Sequence, residues 1–145
     1  FNANPVSAVA GAAALEIVGT TDACQAASHT GQRLRDGFNE VFLEEGVASC
    51  AYGTYSGFHI FANPEKLDIG PDDIATGSVD FRTLKASAAS ALAYNLKLGL
   101  LAHGVDVFGW PGGVASSTHG DEEVAITVEA MRSTVRILKE SGDIG

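Results

Sequence analysis

The sequence predicts an α+β domain, an antiparallel sheet of about four short strands covered by helices on one side. Two observations carry this reading. Apolar periodicity along the chain changes in the order helix, helix, two strands, helix, two strands, helix, which is not the regular strand–helix alternation of a parallel nucleotide-binding sheet. Length and composition agree, because 145 residues with 46% apolar content are enough for one compact core.

The first helix should start at Asn4 and Pro5. An Asn side chain accepts from the free amides of a first turn, and Pro at the first helical position has no amide hydrogen to leave unpaired. From Val6 to Val18 only Ser7 and Glu16 are polar, and a helix apolar all round is expected to be buried. Thr20, Thr21 and Asp22 break it and offer new caps. Ala27, Leu34, Phe38, Val41 and Phe42 then recur at helical spacing until Gly46.

Residues Val47 to Pro64 read as a hairpin, with Tyr52, Thr54, Tyr55, Phe58, Ile60 and Phe61 in the strands and Gly53 and Gly57 where the chain can turn. Alternation puts Phe58, Ile60 and Ala62 on one face and His59 and Phe61 on the other, so both faces should be at least partly covered. Glu65 to Asp80 has loop composition. A third helix is expected from about Leu84 to His103, with Leu84, Ala88, Leu92, Leu96 and Leu100 in one stripe. Val105 to Phe108 and Val114 to Ser117 read as two strands joined through Gly109–Gly113. Thr118 and Asp121 approximate a capping box. They open a last helix whose stripe is Val124, Val128, Met131, Val135 and Leu138, ending near Gly142.

Composition excludes some functions. Eighteen acidic residues against nine basic ones give a net charge of -9, which repels a phosphate backbone. No apolar run reaches the ~20 residues that span a bilayer, and the start lacks the pattern of a secretory signal, so neither membrane nor nucleic acid is an expected partner and a cytoplasmic location is expected. Cys24 and Cys50 have no metal spacing and form no disulfide framework.

No motif specifies a reaction. His119 with Asp121, Glu122 and Glu123 could ligate a metal, but acids at a helix start are explained by the helix dipole, and no metal site is assigned. His59 in a strand is either a general base or a packed residue, the latter favoured. His29 and His103 fall near helix ends. Asp68, Asp72, Asp73 and Asp80 lack the alternation and closing glutamate of a calcium loop. Trp110-Pro111, set between glycines, is the candidate anchor for a ligand or partner, the alternative being a ring folded back over the core.

Several segments, in order, resemble one family. They are Phe1-Asn2-Ala3-Asn4-Pro5-Val6-Ser7 leading into Ala8-Val9-Ala10-Gly11, then Gly31-Gln32-Arg33-Leu34-Arg35-Asp36-Gly37, and then Ser56-Gly57-Phe58-His59-Ile60-Phe61. His103-Gly104-Val105-Asp106-Val107-Phe108 and Thr118-His119-Gly120-Asp121-Glu122-Glu123-Val124 complete the series. The pattern is similar to the C-terminal part of class-III pyridoxal-phosphate (PLP) aminotransferases of fold type I, closest to the glutamate-1-semialdehyde aminomutase branch.

That resemblance implies a homodimeric parent acting on a small amino-acid-type substrate. Residues 1–22 would be a helix of the large domain or dimer interface, and residues 23–145 the C-terminal small domain. The family's threonine that contacts the neighbouring subunit's cofactor phosphate would precede Phe1, placing Phe1 and Asn2 beside the cofactor. Trp110 and Pro111 fall near the substrate entrance, and Pro111 stands about where aminomutases carry a glutamate, a departure from the strict aminomutase pattern. None of Lys66, Lys85, Lys97 or Lys139 matches the family's cofactor-binding lysine. The chain alone is therefore expected to be inactive and to hold no PLP, its partner being a missing N-terminal large domain. The competing reading is a free-standing, non-catalytic domain that self-associates through the first helix.

Overall fold

In chain order the elements are α1 (Pro5–Thr20), α2 (Ala23–Glu44), β1 (Cys50–Tyr52), β2 (Gly57–Phe61), α3 (Pro71–Ala75), α4 (Phe81–Ala88), α5 (Ala91–Ala102), β3 (Gly112–Val114) and α6 (Asp121–Glu140). The structure, a computed structural model, describes residues 4–144. The strands form one antiparallel sheet in the order β1-β2-β3, with Ala51 opposite Ile60 and Phe58 opposite Gly113.

The apolar stripe of α2 organises the core. Leu34, Phe38, Val41 and Phe42 recur at the spacing that puts them on one helical face, and all four are buried against the sheet residues Ala51, Phe58 and Ile60. The rings of Phe38 and Phe58 meet edge to face at 5.6 Å. Helix α6 packs on α2, and α5 packs on α6, bringing Met131, Val135, Leu96 and Leu100 into the same cluster. Burial of each such side chain contributes about 1.5–3 kcal/mol.

Two glycines allow this close helix packing. A Cβ on Gly37 would lie 2.5 Å from Val128 of α6, and one on Gly99 would collide with Thr134 of α6. The C-terminus of α2 is closed by Gly46 at φ +67°, with the Val47 N–H donating to Phe42 O at 2.8 Å, as the sequence predicts for Gly46.

Several expectations are corrected. The sheet has three strands rather than about four. Val105–Phe108 is irregular: the Val105 N–H donates back to Leu100 O at 2.9 Å at the end of α5, and the Phe108 N–H donates to Gly112 O at 2.9 Å across the turn. The last strand is Gly112–Val114 instead of Val114–Ser117, because glycines at 112 and 113 are what fit there. A Cβ on Gly112 would lie 2.7 Å from Phe58 O, and one on Gly113 2.8 Å from the Phe58 ring.

The single helix expected over Leu84–His103 is two, since the Ser90 hydroxyl caps α5 by accepting the Ala93 N–H at 3.1 Å. Leu92, Leu96 and Leu100 are buried as the stripe requires, whereas Ala88 is exposed. Within the expected loop 65–80, Pro71–Ala75 forms a short helix, with Asp73 accepting the Gly70 N–H at 2.8 Å. The cap of α6 is Gly120 rather than Thr118, and Glu123 accepts its N–H at 2.7 Å. Helices also cover the second sheet face, where α3 meets β1 and α4 meets β2, which buries Cys50 and Phe61.

Helix α1 begins as predicted, with Asn4 Oδ1 accepting from the N–H groups of Val6 at 3.0 Å and Ser7 at 3.4 Å. Its expected burial is not supplied by this chain. It departs at 76° from α2, and every one of its residues is exposed, Val6 at 78% and Leu15 at 73%. The bend follows from Thr20 and Thr21, whose hydroxyls donate back to Glu16 O and Ile17 O at the helix end. Among the described residues no single helix is long and apolar enough to cross a membrane.

Candidate functional site

An apolar cleft of about 360 Å³ opens where the N-terminal half of α6, the middle of α2, β3 and the 104–108 segment converge. Its floor is made of buried core side chains, Leu34, Phe58, Val107 and Val124, so its shape follows from the packing just described. Phe108, Val114 and Ile126 form its rim and remain about half exposed. The Thr30 hydroxyl donates to His119 O at 3.1 Å and joins α2 to the segment leading into α6.

Polar groups around the cleft are mostly engaged. His119 Nδ1 accepts the Ser116 N–H at 3.2 Å. Glu123 accepts amide hydrogens at the start of α6, first its own and then that of Gly120, and this holds its carboxyl below the usual range. Asp121 is paired with Arg33 at 2.6 Å. The acids and histidine at the start of α6 thus serve capping and inter-helix pairing. Among the described residues no group of three or more His, Cys, Asp and Glu side chains could hold a metal ion.

Trp110 lies beside this cleft, half exposed, its ring 5.9 Å from that of Phe108. Pro111 is buried, and its carbonyl accepts the Ile60 N–H at 2.8 Å, extending the pairing of β2 and β3. The structure therefore places Trp110 next to the rim residue Phe108, outside the cleft lining, and Pro111 in the packing. Phe1 and Asn2 lie outside the described residues.

His59 sits on the second sheet face opposite Tyr52, with ring centroids 5.4 Å apart, and burial lowers its pKa. It has the surroundings of a packed strand residue and is not at the cleft. Cys50 is buried, and desolvation with nearby Asp73 pushes its thiol up to about 11, so it is not a ready thiolate. His103 Nδ1 meets Gly99 O at 2.8 Å at the end of α5. Asp80 caps α4 by accepting the Arg82 N–H at 2.8 Å.

One polar centre was not singled out in the sequence. Arg35 of α2 is buried and donates to Tyr55 O at 3.0 Å and Gly57 O at 2.6 Å, while its other terminal nitrogen donates to Gln32 Oε1 at 2.8 Å. A signal existed: Arg35 shares the face of Gly31, Phe38 and Phe42, at i+4, i+7 and i+11, where an exposed arginine does not belong. Burial lowers its pKa, but a guanidinium keeps its charge at neutral pH.

None of the four lysines lines the cleft, and Lys139 is held by Glu45 at 3.2 Å. The cleft thus offers no side-chain amine that could tether PLP.

No family model matches the chain, and no curated protein matches it. Solved structures do. The chain superposes on a transaminase with PLP bound with a TM-score of 0.74 and 24% identity, covering 97% of this chain and 29% of that one. An omega-transaminase from Sphaerobacter thermophilus gives 0.70 and 26%, covering 92% and 28%. The FumI protein of Sphingopyxis sp. MTA144, in a PLP form, gives 0.64 and 20%, covering 89% and 26%. The chain spans less than a third of each of these proteins, and its α+β fold is one found within a PLP-bound transaminase and an omega-transaminase.

Proposed function

We propose that this chain is the C-terminal portion of a class-III, aminomutase-like PLP aminotransferase, which transfers an amino group on a small amino-acid-type substrate. The observation that carries this reading is the coverage: nearly the whole chain superposes on transaminases, yet it accounts for only 26–29% of their length. In this reading residues 1–22 belong to the large domain or dimer interface and residues 23–145 form the small domain. The working protein is a cytoplasmic homodimer.

The bare α1 supports this division. An apolar helix with no covered face costs free energy in water, and a neighbouring domain or subunit removes that cost. The chemistry belongs to the cofactor, which serves as an electron sink when bound. This chain's part is to shape and close the substrate side.

The coding sequence upstream of Phe1 provides the test. A segment bearing the cofactor-binding lysine, and an expressed longer protein that takes up PLP and transfers amino groups, is the expected result. A start codon at Phe1, or a longer protein that neither takes up PLP nor transfers amino groups, overturns the proposal. The bare α1 also suits a self-associating domain without catalysis, which the start-codon outcome would favour.

A further inference from the structure

We infer that the junction of α1 and α2 is a two-position joint latched by the Thr21 hydroxyl. With the latch closed, α1 stands bent away from α2; with it open, α1 swings into line and the two become one helix from Pro5 to Glu44. The joint is a property of this chain alone, and it stands whether or not a longer parent transfers amino groups.

One torsion makes the 76° bend. Thr21 is extended, at φ -126° and ψ 172°, whereas Asp22 at φ -87° and ψ 15° already lies close to helical values. The two hydrogen-bond ladders end on either side of that torsion. The Thr21 N–H still donates to Ile17 O, and Asp22 O already accepts the Ala26 N–H. No backbone carbonyl among the described residues takes the amide hydrogens of residues 22–25. A single side chain bridges the gap: Thr21 Oγ1 donates to Ile17 O of α1 at 2.7 Å and accepts the Ala23 N–H of α2 at 3.2 Å. Asp22, at the cap position, makes no such side-chain bond.

Both positions are open to the chain. Returning the Thr21 ψ to a helical value pairs the amide hydrogens of residues 22–25 with the carbonyls of residues 18–21, so straightening exchanges two hydroxyl bonds for continuous ladder bonds. Gly19, Thr20 and Thr21 disfavour helix at that point, and a Cβ on Gly19 would meet nothing within 4 Å, so packing does not require the glycine there. The core opposes neither position. Every residue of α1 is exposed, and α2 buries none of its residues before Thr30, so its first turns already project from the core along the line a straight helix would take. A partner that covers α1 therefore selects the angle at which the rest of the chain, cleft included, is held. In the transaminase reading, on which this consequence alone rests, the joint sets the small domain against the larger half.

Spin labels on the 145-residue chain read the joint directly. Val9→Cys and Glu40→Cys, both at exposed sites, carry the labels in a Cys24→Ser background, and Cys50 is buried. Excess unlabelled chain ensures that only distances within one chain are measured. Straight, the two sites lie roughly 45 Å apart along the axis, and the bend shortens this by roughly 10 Å. The shorter distance should dominate in the natural sequence. Thr21→Ala, which removes the bridge and favours helix, should raise the ratio of long to short by about tenfold. Thr21→Val, still β-branched but without the hydroxyl, should raise it by about fivefold, and Thr21→Ser should leave it unchanged. Thr21 is exposed, so each variant keeps the core, which Trp110 emission and an unfolding curve verify. A short distance unmoved in Thr21→Ala and Thr21→Val, a Thr21→Ser protein that behaves like Thr21→Val, or one broad featureless distribution in the natural chain overturns the inference. None of these outcomes bears on whether a longer protein takes up PLP.

Discussion

The buried guanidinium of Arg35 donates to the carbonyl of Gly57 at 2.6 Å, fastening the hairpin turn between β1 and β2 onto α2. The same group reaches Tyr55 O at 3.0 Å, and Tyr55 is held at φ +51°, a conformation that side-chain-bearing residues seldom adopt. Gly31, one turn earlier on α2, leaves room for this contact, since a Cβ there would lie 2.6 Å from Tyr55 O. Arg35→Met should therefore lower stability by about 2 kcal/mol, the scale of hydrogen bonds to a charged group. Arg35→Lys should recover only part, because an ammonium lacks the planar fork. Urea unfolding measures both, and a midpoint unchanged in Arg35→Met would show that the turn does not depend on this clamp.

Glu45, at the end of α2, gathers Arg136 at 2.7 Å and Lys139 at 3.2 Å from the end of α6, beside the neighbouring Arg132–Glu44 pair. Hydrogen bonds from Arg136 and then Lys139 hold its carboxyl below the ordinary 4.5. A carboxyl whose folded-state value is depressed contributes stability that is fully present above about pH 4.5 and is lost as pH falls through the lower folded-state value. Glu45→Gln should flatten the acid side of the stability curve while changing little in its shape above neutrality. Thermal unfolding of both proteins across the acid range tests this, and parallel curves would refute it.

The α5–α6 contact carries one unsatisfied group. Thr134 is 1% exposed and its hydroxyl has no hydrogen-bond partner. Leaving a buried donor unmade costs about 1–3 kcal/mol, so Thr134→Val, which keeps the shape, should raise stability by about 1 kcal/mol. Gly99→Ala places a methyl against the same side chain and should cost about 1–3 kcal/mol. Denaturant midpoints decide, and a Thr134→Val protein less stable than the natural chain would contradict the assignment.

Helix α1 should make the isolated chain bind a hydrophobic dye or self-associate, because Val6, Val9, Leu15, Ile17 and Val18 are all at least half exposed. Leu15→Lys with Ile17→Lys should suppress either response while leaving the core intact, since neither residue is buried. Sedimentation and dye fluorescence at several concentrations provide the check. A natural chain that stays monomeric and dye-silent would argue against an uncovered α1.

Trp110→Ala in a longer parent should alter substrate preference by about tenfold, the range available to an apolar pocket contact. Its folding cost should stay under about 1 kcal/mol, as for a half-exposed side chain outside the core. Steady-state rates on paired substrates and an unfolding curve separate the two effects. An unchanged substrate profile would remove Trp110 from the site.

Much of the fold was legible from residue spacing. The stripe Leu34, Phe38, Val41, Phe42 and the stripe Val124 to Leu138 identify α2 and α6, because a 3.6-residue period survives only where one face is buried. Asn4-Pro5 and Gly46 mark helix ends through local backbone chemistry, which needs no distant partner. The face assignment of Phe58, Ile60 and Ala62 likewise followed from a two-residue period.

The candidate site was less legible, for a physical reason. Trp110 could be singled out as a large aromatic between glycines, but the cleft beside it joins Leu34 to Phe58, Val107 and Val124, residues brought together only by the packing of α6 on α2 over the sheet. The irregular backbone at Val105–Phe108, the break at Ser90 and the cap at Gly120 depended on competition between local propensity and non-local contacts, which no window of sequence contains.

The amino-acid sequence by itself determined that this is an acidic α+β chain, that α1, α2 and α6 are helices, and that the first of them is almost wholly apolar. Only the tertiary structure decided that this helix stands clear of the core, that Arg35 faces inward to hold a turn, and that an apolar cleft bordered by two acids opens beside Trp110. Periodicity records which face of each element avoids water, whereas a pocket is what remains when faces from distant segments meet, and that meeting is set by packing.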